Sequence, residues 1–561
     1  MLLKLPVELQ RMVVEELRLP RLPLGTRRCL NPDFIVPRWA LHSLCLTSRH
    51  FHDLAEPLLY ESIALTEDTQ FVQLLNSLLA NRDRRSWIRR IACPMCIMEE
   101  TDTMVVLPLW NQIIAPKKGM DLNQREKRAL QLAGLELDHI LEEDRWINDY
   151  GSEESGCGLR EDEWAFCDQL LAVIICLTTC LEDLLLQIPT DKEGLGGFDN
   201  LARALGSGVN AHETGVLQSL RSFRIQPTRS RARTPGSNGP DPGILVEPRN
   251  VEPGRDPGFG IDPLRLFSFE IRNVEEVDIC GDNGIWFRLL KASHGPWTDD
   301  TLPHDLKRFR SLKTLKLNES RTLPSYLRHL LEEAHSLETF HYTTRQQEWR
   351  QEYWSPEYDD FAFMPFDVFS MNEALWPIRK TVKELSLGSV CRPWDDGDEE
   401  YQNLELIVLL GLFEKLTHLS IDLRWLVPIT LDLEEDVALV PLYKRLPQSL
   451  KEITLTETWT RTDLRALSEI PKVERRSMAW VQAVLWTLLV GDDGQEGKSK
   501  RLAHLDKVIL VAVPAFHNYE DGRPDADDEC VPLKTDEGVE EMKSVFAKYG
   551  VEFHVEWFKR I

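Results

Sequence analysis

Leu312-Lys313-Thr314-Leu315-Lys316-Leu317 is the stretch on which the fold turns. In an extended segment the fourth and sixth side chains leave on the same side, so Leu315 and Leu317 enter a core while Thr314 and Lys316 face away. Leu312 brings the chain inward at the start. The same order of apolar residues recurs at Leu181/Leu184/Leu186, Leu220/Phe223/Ile225, Leu264/Phe267/Phe269, Val274/Val277/Ile279 and Leu337/Phe340/Tyr342. It returns at Val382/Leu385/Leu387, Leu416/Leu419/Ile421, Leu450/Ile453/Leu455 and Leu505/Val508/Leu510. One such match is common in a chain that is 42% hydrophobic, but a long succession of them, many preceded by a helical stripe, marks a repeated helix–strand unit.

No such unit buries its apolar side alone, so neighbours must stack, and the polar residues between the apolar ones form a surface. The candidate contact positions on that surface are Glu182, Asp183, Arg221, Ser222, Lys313, Thr314, Glu338, Thr339, Lys383, Glu384, Thr417, His418, Lys451 and Glu452. From Leu312 onward the first positions are 25 to 55 residues apart, so the period is irregular. The residues alone also allow ordinary βα units in a globular α/β domain. Three inserts interrupt the array: a polar one over about 112–165, a Pro- and Gly-rich one over 226–263, and an aromatic and charged one over 345–366.

Upstream, Glu61 to Leu65 alternates like a strand, Phe71, Leu74, Leu75, Leu78 and Leu79 form a helix face, and Ile88 to Cys93 returns to extended chain. The first 65 residues read differently, as three short helices. Leu5, Leu9, Met12, Val13 and Leu17 line the first, with Pro6 suited to its first turn. Residues 20–37, with four prolines, read as a loop. Trp39, Leu41, Leu44 and Cys45 build the second helix, and the third follows Ser48 as N-cap, with Phe51, Leu54, Ala55, Leu58 and Leu59 along one stripe.

Composition limits the function. There are 66 Lys and Arg against 91 Asp and Glu, a net charge of −25, which argues against nucleic acid or an anionic membrane as the main partner. The most apolar run, Leu170 to Leu181, is a dozen residues where a bilayer crossing takes roughly 20. The N-terminus has no uninterrupted apolar signal region. The 11 Cys are therefore expected as reduced thiols in the cytoplasm or nucleus. Cys93 and Cys96 have the spacing of half a zinc site, but no second pair completes it. No nucleophile elbow, phosphate loop or paired-His helix appears, and neither catalysis nor a cofactor is expected.

The Leu5-Pro6-Val7-Glu8-Leu9 opening, followed by Leu41-His-Ser-Leu44-Cys-Leu-Thr-Ser-Arg49-His-Phe51-His-Asp-Leu-Ala-Glu-Pro57-Leu-Leu-Tyr60, resembles the F-box, particularly its fungal form. The remainder resembles irregular leucine-rich-repeat proteins. Together the resemblances imply an α/β chain: a three-helix F-box over 1–65, then a leucine-rich-repeat-like solenoid, or horseshoe, over 66–561. They imply a substrate-recruiting subunit of a cullin-RING ubiquitin ligase that docks a Skp-type adaptor, and through it a cullin, while the repeats hold a target protein. The adaptor-facing residues would be Leu5, Pro6, Leu9, Leu44, Arg49 and Phe51. The alternative is a non-ligase repeat scaffold or ligand-binding protein whose first helices cap the solenoid. Exposure of Leu5, Pro6, Leu44 and Phe51 discriminates: a missing adaptor leaves them in solvent, and a cap packs them inward.

Overall fold

The computed structural model describes residues 4–23, 30–93, 122–132, 158–188, 218–227, 273–280, 310–320, 322, 324–345, 368–390, 409–426, 442–457, 485, 488–489, 502–512 and 536–557. The chain divides into two compact units, Met1–Arg308 and Phe309–Ile561.

The first unit begins with α1 (Val7–Glu15), α2 (Pro32–Thr47) and α3 (Arg49–Glu61). Then come β1 (Ser62–Ala64), α4 (Asp68–Ala80), α5 (Arg84–Trp87) and β2 (Arg90–Cys93). It continues with α6 (Gln124–Leu132), α7 (Gly158–Leu177), β3 (Asp183–Ile188), β4 (Ser222–Pro227) and β5 (Glu276–Cys280). Each strand pairs with its sequence neighbour, in parallel. A parallel neighbour demands a crossover, which α4 and α5 supply between β1 and β2, and α6 and α7 between β2 and β3.

In the second unit the order is β6 (Thr314–Ser320), α8 (Pro324–Glu333), β7 (Thr339–Arg345), α9 (Val368–Leu375), β8 (Glu384–Val390) and β9 (His418–Asp422). It closes with α10 (Leu442–Arg445), β10 (Glu452–Glu457), β11 (Lys507–Ala512), α11 (Asp536–Lys548) and β12 (Glu552–Trp557). These seven strands also pair in parallel and in sequence order.

Nine of the ten repeats fall on β3 to β11, and in each the three apolar residues are buried. The tenth, at Leu264, lies outside the described residues. A second regularity reinforces the first. The carbonyl of the residue after the leading apolar position accepts two N–H groups from the next strand: Glu338 and Thr339 donate to Lys313 O at 2.8 and 2.9 Å, and Lys383 and Glu384 donate to Glu338 O at 2.7 and 3.0 Å. Thr417 and His418 then use Lys383 O, Lys451 and Glu452 use Thr417 O, and Asp506 and Lys507 use Lys451 O. Each entry into the sheet is thus fixed by backbone bonds, whatever the side chain. This explains how crossovers of such unequal length still bring every strand in at the same register.

Three local features depart from or add to the sequence reading. Residues 20–37 are not all loop, because α2 starts at Pro32, with Asn31 as N-cap accepting from Asp33 N at 3.0 Å. Proline in the first turn forfeits no helical bond, and Pro37 within α2 gives up the bond to the carbonyl of the exposed residue Asp33. Pro57 likewise lies inside α3, which runs on to Glu61. The repeat pattern also misses β12, whose buried Val551 and Phe553 follow a tight stop in place of the usual lead-in. Gly550, at φ 66°, ends α11 there in the left-handed region that favours glycine.

Most of the three inserts lies outside the described residues. Of 112–165, α6 and the start of α7 are described, and α6 is anchored by charge. Glu126, nearly fully buried, receives Arg85 Nη2 at 2.6 Å and Arg82 Nε at 2.9 Å, and it caps its own helix by accepting Asn123 N at 2.7 Å. Burial pushes the Glu126 carboxyl up, but the two guanidiniums and the backbone bond outweigh it, and the group sits below the usual carboxylate range.

Candidate functional site

Pairing register sorts the outward-facing strand residues of the first unit into rows. The first row is Ser62, Arg90, Asp183, Ser222 and Glu276; the next is Ala64, Ala92, Leu185, Arg224 and Asp278. Chain from the N-terminal module covers this face. Ala64, Ala92 and Leu185 share one core with Val14 of α1, Phe34 and Leu41 of α2, and Phe51 and Ala55 of α3.

The connection between α1 and α2 lies across the same strands as a strap. Leu19 and Leu22 insert into the shared core, while the polar atoms of Arg18 to Leu22 meet the rows. Arg18 pairs with Glu61 at 3.0 Å, and the Leu19 carbonyl accepts Arg90 Nη2 at 2.9 Å. Arg21 pairs with Asp183 at 3.0 Å and Glu276 at 2.7 Å and donates to Ser222 Oγ. The Leu22 carbonyl accepts from Arg224, whose Nη2 also holds Asp183 at 2.6 Å. Burial pulls the Arg21 guanidinium down, but its bonds to Asp183 and Glu276 more than offset that and hold it above its ordinary value. Asp183 and Ser222, read from sequence as candidate target contacts, are therefore occupied by the chain's own N-terminal segment.

On α1 and the residues flanking it, inward and outward positions separate. Val14 and the partly buried Leu17 face the core, and with them the polar Gln10. Gln10 donates to the Leu5 carbonyl at 2.6 Å and meets His50 Nε2 of α3, also at 2.6 Å, so its burial is fully compensated. Leu5, Val7, Leu9, Met12 and Val13 stay exposed. On α2, Phe34 and Leu41 go inward, while Val36 (65% exposed), Trp39 (67%) and Leu46 (75%) stand outward at spacings of three and seven residues, one helical stripe. Among the described residues, seven of the ten exposed large apolar side chains belong to these two helices and an eighth, Leu5, lies just ahead of α1; the other two are Trp376 and Leu412. A chain with an ample core has no intrinsic reason to concentrate apolar surface there.

The six residues expected to face an adaptor divide accordingly. Leu5, Pro6, Leu9 and Arg49 are exposed, Leu44 packs partly against the module core, and Phe51 is 4% exposed within it. Ser48 caps α3 as the sequence indicates, accepting Phe51 N at 3.3 Å, which sets Phe51 on the inward face. Sequence reasoning missed the outward roles of Val36, Trp39 and Leu46. Val36 falls inside the stretch read as loop, Trp39 is grouped with Leu41, Leu44 and Cys45 as helix-building, and Leu46 is assigned no face.

Elsewhere the described residues hold no group of three His, Cys, Asp or Glu suited to a metal ion. Cys176, in the heart of α7, has its thiol pushed up to about 12 by burial, so it stays protonated and inert. No helix among the described residues is long and apolar enough to cross a membrane. Compared with family models and with curated proteins, the chain matches none.

Proposed function

We propose that the chain is a substrate-recruiting, F-box-type subunit of a cullin-RING ubiquitin ligase, and that it performs no chemistry itself. The outward faces of α1 and α2 dock a Skp-type adaptor, with Leu5, Pro6 and Leu9 as the motif anchors and Val36, Trp39 and Leu46 as a second stripe. The leucine-rich-repeat-like strands carry the target. Proximity is the mechanism: tethering target and ligase raises the effective concentration of target lysines near the charged conjugating enzyme. The observation that carries this reading is the concentration of eight exposed apolar side chains on α1, on α2 and at Leu5 just ahead of α1. At roughly 1.5–3 kcal/mol for each large side chain fully buried, a partner covering even half of them gains a stable interface.

A specific observation favours the capping alternative in part. Val14, Phe34, Leu41 and Phe51 cover Ala64, Ala92 and Leu185, as a cap would. A cap presents a polar outer face, however, and these helices do not. The inward side serves as cover for the first strands, and the outward side serves a partner.

Co-purification of the full chain with a Skp-type adaptor tests the proposal. The wild type should bind, and Leu5→Ala with Leu9→Ala should weaken binding at least tenfold without altering folding. Failure of the folded wild type to bind would overturn the ligase reading and leave the scaffold.

A further inference from the structure

In the second unit the equivalent first row runs Thr314, Thr339, Glu384, His418, Glu452, Lys507 and Glu552 across β6 to β12. It occupies the same place in the repeat as Asp183, Ser222 and Glu276, immediately before the first inward strand residue. The two rows differ in cover. The Asp183 side chain is 9% exposed beneath the strap, whereas those of Glu384, Glu452 and Glu552 are 48%, 31% and 64% exposed.

The strap shows what the covered row accepts: an extended segment crossing the strands, with an arginine set between carboxylates. Its reach agrees with that description. Arg18 to Leu22 find partners from Glu61, beside β1, to Arg224 on β4, three strand spacings or about 14 Å, and four extended residues span about 13 Å. Asp183 also shows that one carboxylate can serve a guanidinium of its own sheet, Arg224, and a second one from the crossing segment.

The open row repeats this chemistry. Glu384, Glu452 and Glu552 stand on alternate strands and are held by in-sheet neighbours: Glu384 by His341 Nε2 at 2.9 Å and Thr339 Oγ1 at 3.4 Å, Glu452 by Lys507 at 3.6 Å and Glu552 by His554 Nε2 at 2.7 Å. Two strand spacings are about 9.6 Å, close to three extended residues. We infer that the strand face of the second unit binds an extended, basic segment of a partner protein that crosses β8 to β12 with arginine or lysine at every third position. The docked segment takes the role that Arg18–Leu22 plays in the first unit. The chain's net charge of −25 favours a basic partner, and the spacing selects among such partners.

This names the class of target under the proposed recruiting function and rests on that reading only for its biological meaning. The experiment omits the adaptor, so its failure and that of the adaptor assay are independent. Fluorescence anisotropy of the full chain is read with a labelled 15-residue peptide carrying Arg at every third position among Ser and Leu. The expected result is saturable binding that falls at least tenfold with Glu384→Gln, Glu452→Gln and Glu552→Gln combined. It falls similarly for a peptide of the same composition with its arginines contiguous. The control combines Glu332→Gln, Glu373→Gln and Glu540→Gln, which removes the same charge from the helices; binding should stay within twofold. No binding by the wild type, equal loss in the two triple variants, or indifference to arginine spacing would overturn the inference.

Discussion

Arg21 and Asp183 lie 162 residues apart in sequence and are joined by two hydrogen bonds, of 3.0 and 3.2 Å. That fork fastens the connection between α1 and α2 to the third strand of the first unit. It makes the N-terminal helices part of the same folded body as the strands that follow. Under the proposed function such a fixture would matter, because a helical module on a loose tether would not orient a target bound by the strands.

Asp183 should be more costly to lose than Arg21. Removing the carboxylate in Asp183→Asn leaves the buried Arg224 without its charge partner, and breaking a buried pair from one side costs about 3–5 kcal/mol. Arg21→Ala removes a half-exposed side chain and leaves the Asp183–Arg224 pair intact, so the loss should be well under half as large. Urea unfolding of the two variants measures the order; Arg21→Ala proving the worse would sink this account.

Phe51 and Trp39 should separate stability from docking. Phe51→Ala opens a cavity in the core shared with Ala92 and Leu185 and is expected to destabilise by about 3–5 kcal/mol. Trp39→Ala acts at the surface and should change stability by about 0.5 kcal/mol or less. Thermal melts and adaptor pull-downs on both variants check this, with the weakened pull-down expected from the folded Trp39 variant.

Glu126→Gln should release α6. The carboxylate holds Arg82 and the buried Arg85, and its amide replacement leaves Arg85 unpaired, at about 3–5 kcal/mol. The native Glu126 pKa lies below its unfolded value, so this contribution is full above the unfolded pKa and is lost as pH falls through the folded one. Hydrogen exchange in 124–132 should therefore accelerate both in the variant and in acid.

His341 should make the second unit sensitive to mild acid. Burial is the larger influence and lowers its pKa; neighbouring Lys316 acts the same way, while Glu384 opposes both. A histidine depressed in the fold binds its proton more readily when unfolded, so stability falls as pH drops below the unfolded value of about 6.5. Melting curves between pH 7.5 and 5.5 should show a slope that flattens in His341→Gln. An unchanged slope would remove His341 as its source.

Gly550→Ala should cost about 1–2 kcal/mol through backbone conformation alone. Its φ is 66°, and no atom lies within 4 Å of the added Cβ, so crowding contributes nothing. Asn at the same site should recover part of the loss.

The strands of this protein are legible in its sequence because they follow a local rule. Apolar residues at the first, fourth and sixth places fix which side chains point inward, and the Leu312 repeat and its relatives on β3 to β11 obey it without knowledge of their neighbours. The N-terminal helices are legible as helices, through their apolar spacing and the Ser48 cap, but the stripe read on the first is not its inward face: Leu5, Leu9, Met12 and Val13 stay in solvent while Gln10 and Val14 are buried. What only the tertiary structure decided is which polar and apolar faces are left free. Asp183 and Glu384 hold the same place in the repeat, yet one is covered by a segment 162 residues away in sequence and the other is open. Phe51 and Leu46 are both apolar helix residues, and only the position of Ala64, Ala92 and Leu185 sends the first inward and leaves the second in solvent. Periodicity is a property of a segment. Cover is a property of contacts between distant segments, and it was set here by Arg21, a residue in a stretch whose prolines marked it only as loop.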